Sequence, residues 1–159
     1  MTCAIALTAA LFFTADPAVS MPEASEAVSA AILVSDLSAE PDFAALVQEA
    51  QRLKGTVDGW MIPAIVSDID FLNSSPYITF KADAQALATA DMNGHLELKR
   101  RGTDGDLTCI LRGIAEDMPK KLEQLEGANP GEARLLALQE LAYLLNDNAE
   151  VILAPPVQP

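Results

Sequence analysis

A thiol–imidazole dyad in this chain would have to run through His95, the single histidine, and through Cys109, the one cysteine that remains if the amino-terminal segment carrying Cys3 is removed. A thiol beside an imidazole is an activated nucleophile only when the two share a face and a hydrogen bond. Both 95–100 and 107–111 alternate apolar and polar residues, which reads as two antiparallel strands. The register that keeps apolar side chains together sets Leu107, Cys109 and Leu111 opposite Arg100, Leu98 and Leu96, and turns His95 to the other face. The expectation is therefore a buried structural thiol at Cys109 and a surface His95, with no dyad. The same census leaves too few His and Cys ligands for a zinc site.

Carboxylates are plentiful but unpatterned. Asp91, Asn93 and the pair Asp104 and Asp106 suggest calcium loops, yet a twelve-residue loop starting at Asp91 puts Leu96 where the glycine belongs and Gly102 where the bidentate glutamate belongs. Hairpin turns account for these residues better, and Asp68 and Asp70 need no metal. Gly102–Gly105 lacks the Lys-Ser/Thr that completes a phosphate loop. No pair of acidic residues is singled out for general acid–base work. No catalytic residue, metal ligand or cofactor is assigned. The remaining candidate is a binding surface: Trp60, Met61, Phe71, Tyr77 and Phe80 bunch within about twenty residues. In a chain with 5% aromatic residues, that group is either a pocket lining or the core itself.

The elements that would position these groups read as α+β. Ser38, Glu40 and Pro41 offer helix-starting chemistry, and Phe43, Leu46, Val47, Ala50 and Leu53 repeat on one helical face. Gly55 ends that helix, over 41–54. Ile62, Ile65, Val66, Ile69 and Leu72 mark a second helix over 62–73, with Pro63 in its first turn. From Tyr77 the period becomes two, with Ile78, Phe80 and a run of alanines on the even positions; residues 83–91 are open to strand or helix, since alanine favours helix. Asn93-Gly94 is a strong hairpin signal. Three or four antiparallel strands with one apolar face follow from this pattern. Pro119 opens a short amphipathic helix ended by Gly127, and Asn129, Pro130 and Glu132 form a capping-box start for a leucine-rich helix ending at 146–148. Residues 149–154 are a candidate last strand. The stretch Leu135–Leu145 covers more than half of its helix and suits either the core or a homodimer contact.

At the amino terminus, residues 3–15 are a continuous apolar run of thirteen. That is short of the roughly 20 residues a membrane span needs, and suits the hydrophobic region of a signal peptide. Ala18 and Ser20 fit cleavage before Met21, although no Lys or Arg precedes the run; a retained buried helix is the alternative. The organisation is then a signal peptide over 1–20, a leader over 21–37, one domain over 38–154 and a proline-rich tail over 155–159. Cleavage removes Cys3 and leaves Cys109 alone; retention leaves a Cys3–Cys109 bridge open.

The 159 residues include 23 acidic and 10 basic ones, a net charge of −13. Phosphate recognition needs clustered Lys and Arg, and the one cluster is Lys99–Arg101, so nucleic acid and anionic membranes are disfavoured as partners. A periplasmic or secreted protein that binds a protein partner or a small apolar ligand without catalysis is the expected function, as an adaptor, an inhibitor or a carrier. A small carboxylate-dependent hydrolase is the alternative, or a cytoplasmic regulatory domain if the amino terminus stays attached.

Overall fold

The computed structural model describes residues 37–103 and 105–155. Of these, 86% are helical and none lies in a strand, which overturns the α+β expectation and its antiparallel meander. Five helices follow one another: α1 (Pro41–Trp60), the single turn α2 (Pro63–Val66), α3 (Ser75–Arg101), α4 (Gly105–Gly127) and α5 (Glu132–Leu153). Short 3-10 turns at Leu37–Ala39 and Phe71–Asn73 precede α1 and α3. The expected signal peptide at 1–20, nearly all of the leader at 21–37 and the tail beyond 155 lie outside the described residues.

The first helix outruns its expected end. Gly55 sits inside α1 because Val57 and Trp60 continue the buried stripe of Phe43, Leu46, Val47, Ala50 and Leu53. Burying two further large side chains outweighs the roughly 1 kcal/mol that an interior glycine costs. The expected second helix shrinks to α2 and a 3-10 turn. Between them the Asp70 amide donates to the Asp68 carboxylate, an Asx turn that draws the chain out of helix.

Residues 75–101 are one helix of 27 residues, including Asn93-Gly94. Its buried side chains are Tyr77, Phe80, Ala84, Leu87, Asp91, His95 and Leu98, at intervals of three and four. The Ser74 hydroxyl caps its start by accepting from the Tyr77 amide. Gly102, in the left-handed conformation at φ 69°, ends it after three basic residues that suit the negative end of the helix dipole. The expected strand at 107–111 is likewise helical, in α4, where Leu107, Leu111, Ile114, Met118, Leu122 and Leu125 face inward. Pro119 lies within α4 rather than at its start, on the exposed side. The last helix begins after Gly131, at φ 102°, so Asn129 is not its cap. It continues through 146–148 to Leu153, because Asn148, Ala149, Val151 and Ile152 are buried.

The four long helices form an up-down-up-down bundle in which α1 neighbours α3, α3 neighbours α4, α4 neighbours α5, and α5 returns to α1. Arg101–Glu40 and Tyr77–Glu126 each join the start of one helix to the end of its neighbour, and the short link 128–131 turns α5 back along α4, so each successive pair is antiparallel. The buried apolar residues of all four join in one core. Arg134, at the start of α5, is buried and donates to the carbonyls of Val66 and Asp68, which fastens the α1–α3 connection to that end of the bundle. No described helix is long and apolar enough to cross a membrane.

Candidate functional site

The aromatic group assembles, and it does so in the core. Trp60 stacks edge-on against Phe71 at 5.0 Å and Phe80 at 4.8 Å, with Tyr77 5.3 Å from Phe71. All four rings are buried at the end of the bundle where α1 leaves and α3 begins, and Met61, half-buried, packs against the same core. The Tyr77 hydroxyl donates to Glu126, and burial together with that carboxylate holds its pKa far above the usual phenolic range. Phe80 alone of the five also borders a small depression, shared with Arg52 and Pro76.

His95 and Cys109 are placed differently from the strand reading. His95 is buried, and its Nδ1–H donates to the Thr108 carbonyl at 2.7 Å, on the helix that carries Cys109. A helix turns His95 inward with Leu98, three residues on, where a strand would have turned them apart. Cys109 is disulfide-bonded and no described cysteine is a free thiol, so the reading of Cys109 as a lone structural thiol is corrected. The suspected calcium residues disperse: Asp91 is in the core, Asn93 is within α3, and the described residues hold no cluster of acidic, His and Cys side chains suited to a metal.

Asp91 is the unusual group of the interior. It is fully buried on α3, and its Oδ2 accepts from Asn148 Nδ2 on the diagonally opposite α5 at 2.5 Å. Its other oxygen, and the Asn148 Oδ1, have no partner. Burial raises the Asp91 pKa to about 7, against the opposing effect of the Asn148 hydrogen bond. Sequence reasoning placed Asp91 in a turn and Asn148 at a helix end. Their positions on the helical stripes of α3 and α5 are the signal that would have found them. Among the described residues Asp147 is likewise raised, by burial and by Glu150. Neither borders the two surface depressions of the bundle.

The surface feature of the bundle is a groove of about 670 Å³ between α1 and α3, which meet less closely than the other neighbouring pairs. Small side chains create it: Ala86, Ala90 and Gly94 follow at four-residue spacing along α3, facing Ala45 of α1. Its floor is Phe43, Leu46 and Leu87, and a Cβ added at Gly94 would stand 3.3 Å from the Phe43 ring. Asp42 and Glu49 of α1 and Asp83 and Glu97 of α3 are the charged residues of its lining, with no Lys or Arg among them. At one end Arg52 joins Glu49 to Asp83 across the two helices; at the other Arg101 joins Glu97 to Glu40. Hydrogen bonds from Arg100 and Arg101 hold the Glu97 pKa down at about 2. The arrangement accommodates an apolar body and favours positive charge at its edges.

None of the binding candidates Trp60, Met61, Phe71, Tyr77 and Phe80 lines this groove; Phe43 and Leu46 read as a helical stripe and Asn93-Gly94 as a hairpin turn, and the alignment of Ala86, Ala90 and Gly94 shows only once α3 is a helix. Comparison with protein families, with curated proteins and with solved structures finds no match for the chain.

Proposed function

We propose that this protein acts by non-catalytic binding, and that the groove between α1 and α3 takes an apolar body bearing positive charge. The observation that carries this reading is the coincidence of an apolar floor with four lining carboxylates, three of which are shared with Arg52, Arg100 and Arg101 at the rim while no Lys or Arg enters the lining itself. The net charge of −13 adds a long-range attraction for a cationic partner. The alternative hydrolase would need two carboxylates of raised pKa in one cleft, and the raised ones among the described residues, Asp91 and Asp147, are not in the groove lining. A homodimer is not part of the proposal: Leu138, Leu141 and Leu145 are spent in the core, which leaves Leu136 and Tyr143 as the large apolar side chains facing outward along that stretch of α5.

A periplasmic or secreted location belongs to the same proposal, since a disulfide at Cys109 suits an oxidising compartment. The chain has two cysteines, so cleavage before Met21 and a Cys109 bond within one chain exclude each other. The intact mass of the native protein decides between them.

Binding is tested by titrating the full chain with dodecyltrimethylammonium and with dodecyl sulfate, each below micelle formation, while following backbone NMR shifts. The cation should move Ala86, Ala90, Asn93 and Gly94, and the groove-filling substitution Ala90→Leu should abolish those shifts. Equal response to both detergents, or shifts centred elsewhere, would refute the reading.

A further inference from the structure

We propose that the groove is the docking site for one amphipathic α-helix of about four turns, carrying Lys or Arg along the edges of its apolar stripe and supplied by a different protein; this rests on the binding role proposed above. Three observations choose that occupant. The groove runs between two antiparallel helices, and Asp83 and Glu97 mark its length on α3. At 1.5 Å per residue, they stand about 21 Å apart, the length of about four helical turns.

The wall is built for backbone approach. Ala86 and Ala90 present almost no side chain, and Gly94 lets the Phe43 ring lie flush against α3, so a helix can settle between α1 and α3 close to their backbones. Leu or Ala side chains of the incoming helix would then reach Phe43, Leu46 and Leu87 on the floor. An extended peptide would present side chains alternately to groove and solvent, and would leave its backbone groups without partners against these alanines.

Charge supplies the third argument. The rim already holds guanidinium groups of this chain: Arg52 lies 2.5 Å from Glu49 and 2.6 Å from Asp83, and Arg101 lies 2.7 Å from Glu40. A partner's Arg or Lys would meet the same carboxylates from the open side, and Asp42, in the first turn of α1, adds an exposed one at the Glu97 end. Even with Arg52, Arg100 and Arg101 included, five carboxylates stand against three guanidiniums at this edge of the molecule. A second copy of the chain, itself at −13, is disfavoured by the same field.

The test uses the full chain and a synthetic peptide of four to five turns with a Leu/Ala stripe flanked by Lys and Arg. Two controls share its length: one with Glu in place of every Lys and Arg, the other with a proline in the middle of the stripe. The basic peptide should gain helical circular dichroism on mixing and shift Ala86, Ala90, Asn93 and Gly94. Asp42→Lys, which leaves the core untouched, should weaken it about tenfold, and Ala90→Leu by more. Equal binding of the proline-broken or acidic peptide, or shifts mapping to another face, overturns the proposal. Binding of dodecyltrimethylammonium in the groove with no peptide binding overturns the helix and leaves the binding role standing. Failure of both probes removes both.

Discussion

Ionising Asp91 puts a charge on a side chain that has one hydrogen-bond donor to face and no solvent. The protonated acid is better matched to its neighbour: a proton on Oδ1 supplies a donor where Asn148 Oδ1 is an acceptor without a partner. Because burial raises the folded-state pKa from 3.8 to about 7, the folded chain keeps a proton that the unfolded chain has released between those values. Stability contributed by the protonated pair is therefore fully present below about pH 4 and is lost as pH rises to about 7, by up to about 4 kcal/mol. Asp91→Asn offers an amide pair that does not titrate. In urea unfolding at pH 8 the variant should exceed the parent by about 1–4 kcal/mol, and the gap should narrow steadily as the pH falls through 7 to 5, vanishing only near pH 4. A gap that stays constant across that range would place the titration elsewhere. The residue was open to misreading because an aspartate two positions before Asn-Gly looks like turn chemistry, and nothing local reports that it will be buried.

Polar residues inside the buried stripes also explain which elements the sequence disguised. The stripe of α1 is wholly apolar and its period is plain from Phe43 to Leu53. In α3 the buried set includes Asp91 and His95, so a hydrophobicity pattern breaks off after Leu87 while the even-numbered alanines imitate a strand. In α5, Asn148 hides the continuation toward Ile152 in the same way. The aromatic group was legible as a group, since four of its members contact one another, but the groove was not, because alanine and glycine carry no signal until their faces are known. Two glycine substitutions test the element boundaries in opposite directions. Gly55 lies inside α1 with open space around an added Cβ, so Gly55→Ala should stabilise the protein by about 0.5–1 kcal/mol. Gly102 ends α3 at φ 69°, so Gly102→Ala should destabilise it by about 1 kcal/mol despite equal room. Chemical denaturation of both variants measures the pair; destabilisation by Gly55→Ala would restore the helix end expected at that glycine.

At the scale of the whole molecule, one core joins the four long helices, and the ion pairs around it are exposed. Arg52–Asp83, Lys81–Glu126 and Lys121–Glu140 each tie neighbouring helices, but such surface pairs contribute at most about 1 kcal/mol each and help mainly to set which helices lie side by side. Cohesion comes from the leucines, the valines and the aromatic cluster, which are continuous from Trp60 at one end to Leu98 and Leu107 at the other. Trp60 is the single tryptophan and touches residues of both α3 and the α1–α3 connection, so its fluorescence reports the closing of that end. Far-UV circular dichroism reports all helices together. With one shared core, the two signals should lose amplitude at the same urea concentration and fit one cooperative transition. Most contacts are local in sequence, within helices, even though the most extensive interhelix packing joins α1 to α5, the first and last of the long helices. Refolding followed at Trp60 with the disulfide intact should then be complete within milliseconds, where a strand meander between helices would require slower long-range pairing. A fluorescence transition separated from the circular dichroism transition would mean that the aromatic end folds as a unit of its own. The groove would then be a junction between two cooperative units, and a partner helix seated in it would stabilise the weaker one selectively.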